Sequence, residues 1–227
     1  MSTPELQPPA KQSIDIGQAV QFVLNDPEWW RTAIAPGLCM LIPVVGPVIH
    51  MGWQRRMFHH IKAGGNGLLP ADIQEDLTQG LAPFAAALTT GLLALVVMLI
   101  LYLPGLFIMM IGGATEVEVI SMMGLLFTFA GHIALFPLGL CLGVFMLEVI
   151  RRGYHGEMTP VLSPGESIAR IRQHPVPYIM TAVSYIVGSV LGGLGFYACV
   201  VGGIVTAPAG NAMNMHALAQ WDSLSAE

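Results

Sequence analysis

His132 is the residue whose placement could do chemistry. It lies near the middle of an uncharged apolar run, Val119 to Leu147, and an ionisable side chain at membrane depth marks a pathway or a ligand by default. An imidazole there could be an axial ligand to a tetrapyrrole of the haem or chlorophyll type. However, the other membrane-associated histidines, His50 and His216, sit near segment ends and not at matching depth. No Asp, Glu, Lys or Arg lies inside any apolar run, so a proton relay lacks its usual partners. The sequence favours a histidine bonded to a backbone carbonyl or to a hydroxyl across helices, with His132 kept as the cofactor-binding candidate.

Other candidate chemistry is thinner. Met213-Asn214-Met215-His216 and Met57-Phe58-His59-His60 mix soft and imidazole ligands that suit copper. With 14 methionines in the chain such clustering is expected anyway, and no metal site is assigned. Cys39, Cys141 and Cys199 fall in apolar runs at wide spacing, which is neither a zinc pattern nor a disulfide framework. There is no G-x-S-x-G, H-E-x-x-H or P-loop. The loop carboxylates Asp72, Glu75, Asp76, Glu157 and Glu166 have the spacings of solvated helix faces. No catalytic residues are assigned, and the expectation is that the chain is not an enzyme.

The elements that must hold these residues follow from charge. Of 227 residues, 54% are hydrophobic and 10% charged, against about 25% charged in soluble domains. Mean hydropathy is +0.67. This is the composition of a membrane protein. A net charge of −5 has the wrong sign for a nucleic-acid partner, and the apolar excess excludes disorder. The start, Met1 to Ala10, has no basic-then-apolar pattern of a secretory leader.

A charge at a helix centre costs roughly 2.5–3.5 kcal/mol on insertion scales, so uncharged intervals locate the spans. Each of four is long enough to cross. The expected architecture is an all-α polytopic helical bundle of about four spans. An interfacial amphipathic helix and cap occupy 13–31, with Asp26-Pro27-Glu28 as a helix start and Trp29 and Trp30 as an aromatic belt. Span 1 covers 32–53; Pro36, Pro43 and Pro47 make it a kinked span, with a re-entrant hairpin as the alternative. A cytoplasmic loop at 54–83, span 2 at 84–111, span 3 at 120–147 and a second cytoplasmic loop at 148–176 follow. The last interval, Gln173 to Trp221, would be about 73 Å long as one helix and must break. Pro208 is the preferred break, giving span 4 at 177–206 and a terminal helix at 208–221; a break at Gly192–Gly193 would instead allow two crossings.

Arg55, Arg56 and Lys62 lie in the first long loop and Arg151, Arg152, Arg170 and Arg172 in the second, seven of the nine Lys and Arg residues. The positive-inside rule makes both loops cytoplasmic. Four crossings place both termini outside, and a re-entrant first segment returns the N-terminus, with Lys11, to the cytoplasm. Shifting the chain by 94 residues superposes Pro43 on Pro137, Pro70 on Pro164 and Pro83 on Pro177. That reads as two parallel repeats, each with a cytoplasmic loop helix entered through proline. Small residues four apart, Gly139–Gly143 and Ser184–Gly188–Gly192, allow close helix approach, within the chain in the first instance.

DPEWW at Asp26–Trp30, Gly52-Trp53 followed by Arg55-Arg56, LLP at Leu68–Pro70, QGL at Gln79–Leu81 and TAPAGNAMNMHALAQW at Thr206–Trp221 occur in that order. With these the chain resembles an uncharacterised family of prokaryotic polytopic membrane proteins, catalogued as a domain of unknown function. Ala71 departs from it, since the family often has an aromatic after Leu-Pro. The resemblance implies the architecture and no activity. The expected function is a non-enzymatic accessory or scaffold protein of the cell membrane, whose partners are the lipid bilayer and other membrane proteins or itself. The alternative is a small transporter or channel with its pathway at the repeat interface.

Overall fold

A computed structural model describes residues 14–198 and 200–224; Lys11 and Cys199 lie outside them. Among the described residues every regular element is helical. They are α1 (Ile16–Leu24), α2 (Trp29–Cys39), α3 (Val45–Lys62), α4 (Ile73–Thr115), α5 (Glu118–Tyr154), a 3-10 turn (Pro160–Leu162), α6 (Pro164–Gln173), α7 (Pro175–Ala198) and α8 (Val200–Leu224). The chain divides into two compact units, one of residues up to Leu81 and from Arg172, the other Ala82–Ile171. Among the described residues three helices, α4, α5 and α7, are long and apolar enough to cross a membrane.

In the first unit α8 is the central helix. α7 packs antiparallel to it through small residues: a side chain at Gly188, Gly195 or Gly210 would overlap backbone or Asn214 on the facing helix. The Ser184–Gly188–Gly192 face is thus used within the chain. Asp15 caps α1, its Oδ1 accepting from the Gln18 amide at 3.0 Å, and α1 buries Ala19 and Val23. Trp53, Met57, Phe58, Met215, Leu218 and Trp221 form the core, with the Tyr178 and Trp221 rings 4.5 Å apart.

Three sequence expectations are corrected here. Span 1 at 32–53 is neither continuous nor merely kinked. α2 ends at Cys39, Val44 takes the left-handed φ of 65°, and α3 runs back, so that Gly37 lies against Ile204 while His50 meets Asn211 and Lys62 meets Asp222. This is a helical hairpin. Asp26 does not cap a helix starting at Pro27. α2 starts at Trp29, and the Asp26 carboxylate instead holds the amides of Glu28 and Leu68 at 2.9 and 3.2 Å. The last interval does not break at Pro208, which lies inside α8; α7 ends at Ala198 and α8 begins at Val200. Pro208 frees the Ile204 carbonyl, four residues back, from its helical bond. Gly37 of α2 packs directly on that oxygen, so the helix continues with its freed carbonyl covered.

The second unit is an antiparallel hairpin. Along its outer half α4 and α5 touch at glycines: Gly105 against Gly124 and Thr128, Gly112 against Ser121, Gly131 against Leu101. Gly153 meets Pro83 and Ala86 at the base. Glu116, with φ 56°, makes the turn at the tip. Only 6% of the most apolar window of α4 is buried, and 17% of that of α5, so the hairpin's outer faces are apolar and uncovered. Two of the three proline pairs matched by the 94-residue shift occupy unlike elements. Pro43 is in a turn whereas Pro137 is inside α5, and Pro83 is inside α4 whereas Pro177 is in the first turn of α7.

Candidate functional site

Each basic loop is organised by the second arginine of an Arg-Arg pair. In the first unit the Arg56 Nε donates to Asp76 Oδ1 at 2.6 Å and its Nη2 to Asp76 Oδ2 at 3.0 Å and the Pro70 carbonyl at 2.9 Å. Asp76 is fully buried and also accepts from the Asp72 amide at 2.8 Å, while Asp72 Oδ1 caps α4 at the Glu75 amide. Charge-assisted, two-pronged bonds of this kind fix both position and orientation. One residue earlier, Arg55 donates to the Gln79 carbonyl at 3.2 Å. Gln79 stands four before Pro83, so Arg55 satisfies the carbonyl that Pro83 releases and lets α4 pass unbroken through the proline. Trp53 completes the set, its Nε1 donating to the Leu69 carbonyl at 2.8 Å.

In the second unit Arg152 gathers the loop in the same manner. It donates to Glu157 at 2.9 Å, Ser163 Oγ at 2.8 Å, Ser167 Oγ at 3.0 Å and Glu166 at 2.8 Å. The hydrogen bond to Glu157, with the charges of Glu157, Glu166 and Glu148, raises its pKa. Beside it the buried Glu148 pairs with Arg151 at 2.6 Å and reaches Arg170 at 3.8 Å. The loop carboxylates are therefore not all a solvated face. Asp76, Glu157 and Glu166 hold arginines, and the buried Glu148 could have been suspected from its place between an apolar run and Arg151-Arg152. These clusters are closed on themselves and hold the loops.

The remaining sequence candidates are separated. Met57, Met213 and Met215 are core residues. His50 Nε2 accepts from Asn211 at 2.8 Å, joining α3 to α8. Neither the pairing nor Asn211's part in it is signalled by local sequence. His216 Nδ1 accepts from Gln220 Nε2 at 2.9 Å; the same amide donates to the Asp15 carbonyl at 3.1 Å and accepts from the Asp15 N–H at 2.7 Å, pinning the start of α1 to α8. Burial lowers the His216 pKa, with the Asp15 carboxylate opposing. A folded pKa below the unfolded value gives stability that is present above about pH 6.5 and lost as pH falls below it. Protection factors in Gln18–Leu24, corrected for the intrinsic pH dependence of exchange, should fall between pH 7.5 and 5.5, and His216→Gln should flatten that response. An equal fall in the variant would remove His216 from the account.

His132 faces outward. Its Nδ1 lies 2.9 Å from the Thr128 carbonyl, which can only accept, so Nδ1 carries the proton. The ring sits edge-on to Tyr102 with centroids 4.7 Å apart. Nε2 is left as an acceptor with no hydrogen bond among the described residues. The expected bond to a backbone carbonyl is present, and it is a local one that leaves half the ring's capacity open.

The family model of a protein of unknown function, DUF4013, matches residues 36–205. The chain belongs to the DUF4013 family. The match includes both arginine loops, His132 and the α2–α3 turn, and it ends within α8. No curated protein and no solved structure matches the chain.

Proposed function

We propose that this DUF4013 chain is a non-enzymatic integral membrane protein that serves as an accessory or scaffold subunit, with the α4–α5 hairpin as its contact arm in the bilayer. The observation that carries the reading is the pairing of exposure with unused packing sites on that hairpin. Leu92, Leu99, Leu103, Phe107, Leu125, Phe129 and Phe136 are exposed along it, while a Cβ at Gly91, Gly139 or Gly143 would meet nothing. Between helices in lipid there is no hydrophobic drive to associate, and small residues that let backbones approach supply the attraction. The closed arginine clusters serve as loop anchors, and their basic content, with the positive-inside rule, supports reading both loops as cytoplasmic in a cell-membrane protein.

The transport reading comes second, since two of the three proline pairs behind the repeat that motivates it lie in unlike elements. The scaffold reading is tested by isolating the full chain from its own membranes in lipid nanodiscs or mild detergent. Stoichiometric recovery with itself or with other membrane proteins is expected, and a chain that always runs alone would sink it.

A further inference from the structure

The outward histidine and the open glycines lie on one face. The α4–α5 seam is marked by Leu101 and Gly105 on α4 and by Gly124 and Gly131 on α5. Steps of 7 or 11 residues return a helix to nearly the same side, so the direction of that seam continues through Thr90 on α4 and through Leu138 and Leu142 on α5. Gly91, Tyr102, His132, Gly139 and Gly143 each follow a seam position by one. In an antiparallel pair those positions open on the same side, and the Tyr102–His132 ring contact bears this out. The hairpin register, Gly105 beside Thr128 and Gly112 beside Ser121, puts Gly91 level with Gly143 and Tyr102 level with His132.

Resting on the scaffold reading, we infer that this face binds a second copy of the chain, through a two-fold axis along the membrane normal. Such an axis sets α4 of one copy against α5 of the other without changing depth. His132 then faces Tyr102 of the second copy and Gly143 faces its Gly91, each contact made twice, which is the self-complementarity an isologous interface requires. The chemistry matches: His132 Nε2 is an acceptor without a partner, and the Tyr102 hydroxyl, with no hydrogen bond among the described residues, is a donor. Open glycines on both helices permit the close approach that a hydroxyl-to-imidazole bond needs.

The test uses full-length protein in nanodiscs. Differently tagged chains are co-expressed, one with Gly91→Cys and one with Gly143→Cys, each lacking the native cysteines. Disulfide formation between them is expected, because the Cα atoms must come within about 7 Å. A chain retaining only Cys141, which precedes a seam position and points to the other side, should not cross-link. In a dimer dissociation assay Tyr102→Phe and His132→Ala should each weaken association by about 5- to 10-fold, the loss of two interhelical hydrogen bonds. Tyr102→Phe is the conservative variant that keeps the fold. A monomer at all densities, cross-linking through Cys141, or a visible absorption band lost in His132→Ala would each overturn the inference. Recovery with other membrane proteins but never with itself would overturn it too, while leaving the scaffold reading standing.

Discussion

Asp76→Ala should lower the stability of the first unit by about 3–5 kcal/mol, the cost of removing one partner of a buried ion pair. The size of the effect follows from what is left behind. Arg56 is only 13% exposed and loses both of its short bonds to the carboxylate, keeping the Pro70 carbonyl and a 3.7 Å approach to Glu75. The Asp72 amide loses its acceptor as well, so the start of α4 and the loop before it come free together. Asp76→Asn should be almost as damaging, because the amide turns a donor toward the guanidinium. Glu75→Gln is the control. Its side chain is 48% exposed, and a surface pair of this kind contributes about 0–1 kcal/mol. Unfolding titrations in mixed micelles measure all three variants. Equal effects at Asp76 and Glu75 would sink the account of the loop as an arginine clamp.

The contrast between those two acids shows what the sequence made legible. The cost of charge in hydrocarbon is a local property, so uncharged intervals located α4, α5 and α7 directly. Whether Asp76 is buried depends on Arg56, one helix away, and the i, i+3, i+4 spacing of Asp72, Glu75 and Asp76 looks the same on a wet face as on a packed one. Pro208 was misread for a related reason. Pro83 and Pro208 each release a carbonyl, and a helix breaks or continues according to what covers it: Arg55 on Gln79, Gly37 on Ile204. The second of these lies 167 positions away in the chain. His132 could be picked out from its depth alone, and its bond to Thr128 is an i−4 contact that any helix offers. The glycine stripes could not be told apart, since Gly188 is filled by Asn214 and Gly139 by nothing, and that difference exists only after the helices pack.

The same difference sets the second large effect. Gly52→Ala should cost about 3 kcal/mol or more, although it adds a single methyl group and improves helix propensity by up to about 1 kcal/mol. A Cβ at Gly52 would overlap the carbonyl of Asp76 and come within 2.8 Å of its Cα; reciprocally, one at Gly80 would overlap the carbonyl of Val48. Backbone meets backbone on both sides of the α3–α4 contact, so no rotamer change relieves the clash and the helices must part. Overpacking alone costs about 1–3 kcal/mol. Parting also draws Asp76 away from Arg56, one turn beyond Gly52 on the same helix, so a steric fault becomes an electrostatic one. The two losses then overlap, and Gly52→Ala combined with Asp76→Ala should cost clearly less than the sum of the single changes, as coupled neighbours do. Gly139→Ala makes the opposite prediction: with open space at its Cβ, it should leave the stability of the isolated chain unchanged or slightly raised. If Gly52→Ala and Gly139→Ala titrate alike, or if the double variant is additive, then the close approach at Gly52 does not position the Arg56–Asp76 pair.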